Sequence, residues 1–180
     1  MLHTKTRLIL FSSLLAISIS FFTLYHYAVA AVPAIHPLQV EIPSIKAKSP
    51  IVDVGVTDKG NLDVPNNFVQ VGWYKYGSLP GAQGSSVLDA HVDNGGKVPG
   101  PFKNLRNAKV GDDIFVTLDN GNKVHYVITS LAVYDYKKFP SNLVFQNTND
   151  SLLKLITCHG IFLSKEKTYS KRLVVTAKLV

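Results

Sequence analysis

An all-β fold closed into a barrel is predicted from three features: short alternating or apolar runs, turn residues between them at close intervals, and a near absence of helical periodicity. The runs are IVDVGVT, NFVQVGWY, SSVLDAHV, DIFVTL, KVHYVITSLAVY, LLKLITC and RLVVTAKLV. About eight strands are expected in all, and closure removes the unpaired edges that an open sheet would expose.

Taken in order, the stretch that opens at residue 33 carries Pro33, Pro37, Pro43 and Pro50. Proline fixes φ and removes an amide donor, so residues 33–37 read as a linker running into an edge strand rather than as helix. The domain proper then extends from Leu38 to Val180. Its strand runs are separated by Asp58-Lys59-Gly60-Asn61, Leu79-Pro80-Gly81, Asn94-Gly95-Gly96 and Asn120-Gly121-Asn122, each with glycine or proline where the chain must reverse. The runs 113–119 and 123–136, on either side of the last of these, predict a hairpin. Helical turns are expected only singly, near Phe102 to Leu105 and near Asn147 to Leu152. There is no internal repeat and no low-complexity segment.

Ahead of this domain, residues 1–7 carry Lys5 and Arg7 and no acid, and residues 8–32 carry no acidic or strongly basic side chain. A run of that length can cross a bilayer, which needs about 20 residues. The flanking cations predict a cytoplasmic segment at 1–7 and a single-pass signal-anchor at 8–32, with the N-terminus inside and everything after Val32 outside the cell membrane. Ala28-Val29-Ala30 also fits the small-x-small pattern of a cleaved signal peptide. The apolar core from Leu8 to Leu24 is longer than such a peptide's usual core, which favours the anchor. Either way the domain is exported.

The chain holds one cysteine, Cys158. It can form no internal disulfide, so the exported domain must hold together by packing, and its thiol is left available. The formal net charge is +7, which suits anionic envelope polymers or lipid headgroups. The lysines are scattered singly without a basic stripe or interleaved aromatics, so no nucleic-acid partner is expected. Acids such as Asp89, Asp93, Asp112 and Asp113 are dispersed or paired in a turn, and no metal or other cofactor is called for.

Cys158 ends the apolar run LLKLITC and is followed by His159-Gly160, which are expected to leave the strand. A strand end beside a glycine lets a side chain face both a packed wall and a cleft. A cysteine in an apolar strand is ordinarily a small buried hydrophobe, so its neighbours decide its role. His91 follows SSVLDA and precedes a turn-rich stretch. Of the other imidazoles, His125 falls mid-strand, and His159 is adjacent to Cys158 and therefore points to the opposite face. His3, His26 and His36 belong to the anchor and linker. Arg172, the last of three arginines, begins the final apolar run and would project from a rigid element. A thiol, a base and a fixed cation are the parts needed to cleave an amide through a thioester.

At this point the residues resemble a known family. KLITC is similar to the TLxTC signature of sortases, the cysteine transpeptidases of Gram-positive cell surfaces, with Leu155, Thr157 and Cys158 in their places and Lys154 where a threonine usually stands. VGWYKYGSLPGAQGSSVLDAHVD resembles the region around that family's catalytic histidine, especially in class F, with Ala90 where a glycine usually precedes the histidine. GPFKNL, VGDDIFVTLDNG and YSKRLVVTAKLV extend the likeness over residues 38–180.

The resemblance implies a sortase-like barrel and a set of roles: Cys158 as nucleophile, His91 as acid and base, Arg172 as oxyanion donor, and Thr157 as a residue that binds or positions substrate. It implies as partners exported proteins bearing a C-terminal sorting signal of LPxTG type, cut between Thr and Gly, and a peptidoglycan-precursor or other amine as acceptor. The loop over roughly 137–150 offers Phe139, Pro140, Leu143, Val144 and Phe145 as apolar pocket residues. No extended N-terminal lid is read over the cleft, which favours wall anchoring or a hydrolytic variant over pilin polymerisation. A non-catalytic wall-binding barrel is the alternative outside the enzymes.

Overall fold

Eight strands are found among the described residues of the computed structural model, which are 34–95 and 98–180. They are β1 (Pro37–Ile42), β2 (Ala47–Val54), β3 (Val71–Tyr74), β4 (Gly84–Asp89), β5 (Asp113–Leu118), β6 (Lys123–Asp135), β7 (Ser151–Leu163) and β8 (Thr168–Leu179). They close on themselves in the order β1-β2-β3-β4-β7-β8-β6-β5. The predicted segments at 1–7 and 8–32, with Pro33, lie outside the described residues. Among those described, no helix is long and apolar enough to cross a membrane.

Closure corrects one expectation. β1 is not an edge: it pairs antiparallel with β2 on one side and with β5 on the other. Its prolines sit where a missing donor does least harm, Pro37 as the first strand residue and Pro43 at the start of a 3-10 turn over Pro43–Ile45. The β5–β6 hairpin forms as predicted, with Asp113 opposite Val127 and Thr117 opposite Lys123. A 3-10 turn occurs at Leu105–Asn107, near its expected place. The other helical turn does not: the one-turn helix α1 spans Ser141–Val144, and β7 has already begun by Ser151. Pro140 is the N-cap of that turn, outside the helical conformation, where it has no amide hydrogen to leave unpaired.

Two sets of apolar side chains follow from strand alternation. Leu88, Leu153, Leu155, Leu173 and Val175 point inward and join Ile42, Ile114, Val116 and Tyr126 in the barrel core. Their neighbours Val87, Ile156 and Val174 point outward, where Val144 and the half-buried Leu62, Tyr74, Tyr134 and Phe139 cover them. Period-2 alternation would normally leave such outward residues to solvent. Here the outer face of β4, β7 and β8 is apolar because it is the floor of a groove. Two long connections wall it: residues 55–70 between the parallel pair β2 and β3, and residues 136–150, which carry the chain from β6 past β8 to β7.

Candidate active site

Cys158 lies on β7, Arg172 on β8 and His91 two residues past the end of β4, and these three strands are consecutive in the barrel. Cys158 and Arg172 are direct cross-strand partners in the antiparallel β7–β8 ladder. β4 and β7 are parallel, with Leu88 opposite Leu155 and Asp89 opposite Ile156. The ladder continues one step past β4, as the Ala90 amide donates to the Ile156 carbonyl at 3.2 Å. Two residues beyond the Asp89–Ile156 pair, the same register sets His91 level with Cys158. Side chains two apart on a strand share a face, so the thiol stands on the outward side with Ile156. The structure thus brings a thiol, an imidazole and a guanidinium to one level of the groove floor.

One local expectation is revised. Cys158 does not end its strand, since β7 runs to Leu163. The break is a bulge: register shifts between His159 and Phe162, and Gly160 adopts φ +86° there. That conformation favours glycine, and a Cβ would collide with Ser170 Oγ. The bulge supplies the change of direction beside the thiol that a strand end was expected to provide.

Each side chain is held by identifiable contacts. Arg172 Nη1 donates to the carbonyls of Tyr169 at 2.9 Å and Lys171 at 3.0 Å, and Nη2 donates to Thr168 Oγ1 at 2.9 Å. Tyr136 lies with its ring centroid 5.9 Å from the guanidinium carbon. The guanidinium is therefore fixed by its own strand with part of its donor fork unused. His91 is held by the 55–70 connection: its ring lies 4.4 Å from that of Phe68, and Nε2 donates to the Pro65 carbonyl at 3.3 Å. A carbonyl can only accept, so this contact puts the proton of a neutral ring on Nε2 and leaves Nδ1 as the basic nitrogen.

The His91 backbone is clamped as well. Phe102 donates its amide to the His91 carbonyl at 3.2 Å, Gly100 donates to the Val92 carbonyl at 3.0 Å, and a Cβ on Gly100 would run into the His91 backbone. From the far side, Tyr169 Oη donates to both carboxylate oxygens of Asp93, at 2.8 and 2.9 Å. Burial and the Asp93 carboxylate raise the Tyr169 hydroxyl to about 12, so it remains a donor throughout the physiological range.

Thr157 is turned away from the position predicted for it. Its side chain is 2% exposed, and its hydroxyl donates to the Ala90 carbonyl at 2.7 Å. An inward position on β7 follows from alternation with the outward Cys158. The hydroxyl is occupied in joining the residue before the thiol to the residue before the imidazole. Ala90, 2% exposed, is accommodated without strain where a glycine was the more familiar residue.

Electrostatics set the resting state of the thiol. Burial pushes the Cys158 thiol above its ordinary value; Arg172 and the Tyr169 amide pull it down, and Asp89 and Asp93 push it up. Asp89, partly buried on the groove floor, is lifted to about 7 by burial despite the opposing pull of Arg172. Sequence reasoning treated Asp89 and Asp93 only as dispersed acids unsuited to a metal site and overlooked Tyr169 and Tyr136. A signal for Asp89 was present, since it stands two residues before His91 in a strand and so shares its face. Tyr169 and Tyr136 reach the site only through tertiary contacts.

Two cavities meet at Cys158. The larger, about 770 Å³, is lined by Leu62, Tyr74, Asp89, Phe139, Phe145, Ile156 and Arg172, among others. Of the loop residues expected to line a pocket, Phe139 and Phe145 do so, Val144 is buried beneath, and Leu143 is exposed. The smaller, about 240 Å³, lies toward Asp93, Arg106, His159 and Tyr169. The first is a groove of mixed lining, in which apolar side chains stand beside Asn61, Lys137, Ser141 and Thr168.

A family model described as Sortase domain matches residues 40–180. Among solved structures, the chain is similar to sortase A from Corynebacterium diphtheriae at 23% identity and TM-score 0.60, covering 81% of this chain and 60% of that one. It is similar to sortase C1 of Streptococcus agalactiae at 25% identity and TM-score 0.61, covering 79% and 66%. For sortase A of Listeria monocytogenes the values are 22% and 0.60, covering 79% and 86%. The chain thus spans about three fifths of the length of the Corynebacterium protein. No curated protein sequence matches it.

Proposed function

Because the chain belongs to the sortase family, we propose that it is a cysteine transpeptidase that cuts an LPxTG-type sorting signal between Thr and Gly and transfers the upstream protein to an amine of the cell wall. The observation that carries this reading is the arrangement of Cys158 on β7, Arg172 on β8 and His91 just past β4 at one level, at the head of the large groove. The stretch VGWYKYGSLPGAQGSSVLDAHVD supports a place within class F. Residues 8–32 act in this proposal as a signal-anchor that holds the barrel on the outer side of the cell membrane.

The chemistry follows from the protonation states. The thiol, raised by burial, is mostly neutral at pH 7, so the reactive form is the fraction in which Cys158 is a thiolate and His91 is protonated. Sγ attacks the threonine carbonyl carbon, and its oxygen becomes an oxyanion that accepts from the unused part of the Arg172 fork. Such a donor is worth about 3 kcal/mol. As the tetrahedral centre collapses, the C–N bond breaks and His91 gives its proton to the departing glycine amine, leaving a thioester on Cys158. An acceptor amine then attacks the thioester, His91 takes its proton, and the new amide leaves as Cys158 is restored.

Thr157 contributes as a positioning residue in this scheme, since its hydroxyl ties the β7 nucleophile to the β4 arm that carries His91. Intact-mass measurement of the protein with an LPxTG-type peptide, with and without added amine, tests the proposal. A mass gain on Cys158 and an amine-dependent product are expected. Cys158→Ala should lose both while keeping the circular dichroism of the parent; retention of turnover by that variant would falsify the nucleophile assignment.

A further inference from the structure

Among the described residues, Asp89 is the one carboxylate that lines the large groove, where it neighbours Leu62, Tyr74, Phe139, Phe145 and Ile156. Its cross-strand partners offer no donor: Gly72 on β3 has no side chain, and Ile156 on β7 is apolar. No described side chain makes a hydrogen bond or ion pair with it. Arg172 acts on it through space only, because that guanidinium donates instead to Tyr169, Lys171 and Thr168. Of the other polar groups on the groove, Cys158 is repelled by its charge, none of Asn61, Tyr74, Tyr136, Ser141 and Thr168 makes a hydrogen bond to it, and the exposed Lys137 holds its ammonium 5.6 Å from the centroid of the Tyr136 ring.

A partly buried carboxylate without a donor is unfavourable. An aliphatic ligand laid over it removes its remaining water and makes it worse. A ligand that brings an N–H or O–H relieves it, and sites built around a group that needs a hydrogen bond reject analogues lacking one strongly. Resting on the transpeptidase reading above, we propose that Asp89 is a specificity-determining residue that makes the groove select sorting peptides presenting a hydrogen-bond-donating side chain upstream of the cleaved bond. Asp89 precedes His91 by two residues, and its partner Ile156 precedes Cys158 by two, so it lies about 7 Å along the strands from the reacting level. That distance corresponds to roughly two residues of an extended peptide before the acylated one.

The test uses the full chain carrying Cys158→Ala, with calorimetric binding of matched peptides that differ at one of the three positions preceding the acylated residue. Glutamine is set against methionine and lysine against norleucine. At one of these positions the donor peptide should bind about tenfold or more tightly. Asp89→Leu should abolish that preference, and Asp89→Asn, which keeps an acceptor oxygen in a nearly identical shape, should retain part of it. Equal binding of the paired peptides, failure of all of them to bind, or a preference unchanged in Asp89→Leu overturns the proposal.

Acylation of Cys158 in the parent chain, followed by intact mass, separates the two readings. Adducts that form equally with donor and apolar peptides leave the transpeptidase standing and sink the role of Asp89. A donor preference in binding that survives without any adduct keeps the role of Asp89 and sinks the transpeptidase.

Discussion

At Arg172 the geometry asks more than charge of the side chain. The guanidinium reaches Tyr169, Lys171 and Thr168 at once and still has N–H groups to offer, which a lysine ammonium on a flexible stem cannot reproduce. Arg172→Lys should lower kcat for peptide cleavage by about a hundredfold or more with the charge retained; near-normal turnover would remove Arg172 from the mechanism. Asp89 makes a prediction of opposite sign for stability. Its folded value of about 7 lies above the ordinary 3.8, so between those values the folded chain holds more protons than the unfolded one. Stability is therefore lost as pH rises through this window. Asp89→Asn should raise the thermal midpoint by several degrees at pH 8 and change it little at pH 4, and a gain independent of pH would contradict the assignment. The same change removes a charge that raises the Cys158 thiol, so alkylation of Cys158 at pH 8 should become faster by a few-fold.

Between elements, the site depends on how β4 and β7 are joined beyond the last paired residue of β4. The Thr157 hydroxyl on the Ala90 carbonyl and the Ala90 amide on the Ile156 carbonyl extend the parallel pairing up to His91. Thr157→Val keeps shape but leaves a buried carbonyl without that donor, a loss of about 1–2 kcal/mol in stability. It should also lower kcat more than it raises KM, because the imidazole and thiol lose their tie, and Thr157→Ser should restore most of the rate. If Thr157→Val lost stability alone, with kcat and KM both unchanged, the hydroxyl would be structural only. Tyr169 binds the same neighbourhood from β8 through Asp93, and this reach across 76 residues of chain could not be anticipated from either residue's local sequence. The Gly160 bulge was anticipated only as a glycine at a change of direction; its position inside a longer strand depends on the β7–β8 pairing continuing past it.

For the whole molecule, closure accounts for how one small domain without disulfides holds together. Cys158 is the chain's single cysteine, and each barrel strand is paired on both sides, so cohesion comes from the core of Leu88, Leu153, Leu155, Val175 and their neighbours. The unit Ile35–Val180 should unfold in one urea transition whose midpoint is the same with and without reductant; two transitions, or a dependence on reductant, would contradict this account.

Alternation, turn residues and the lack of helical period determined that the chain is an all-β barrel, because these depend on local backbone preferences and on which side chains avoid water. Cys158, His91 and Arg172 could be picked out as candidates for a related reason: each stands in or next to a strand run with a recognisable pattern. Only the tertiary structure decided that Thr157 turns inward, that Asp89 faces the groove without a donor, and that Tyr169 and Pro65 hold the arms of the site. Those outcomes depend on strand order, register and crossover loops, which bring together residues far apart in the chain and are set by how the whole sheet closes.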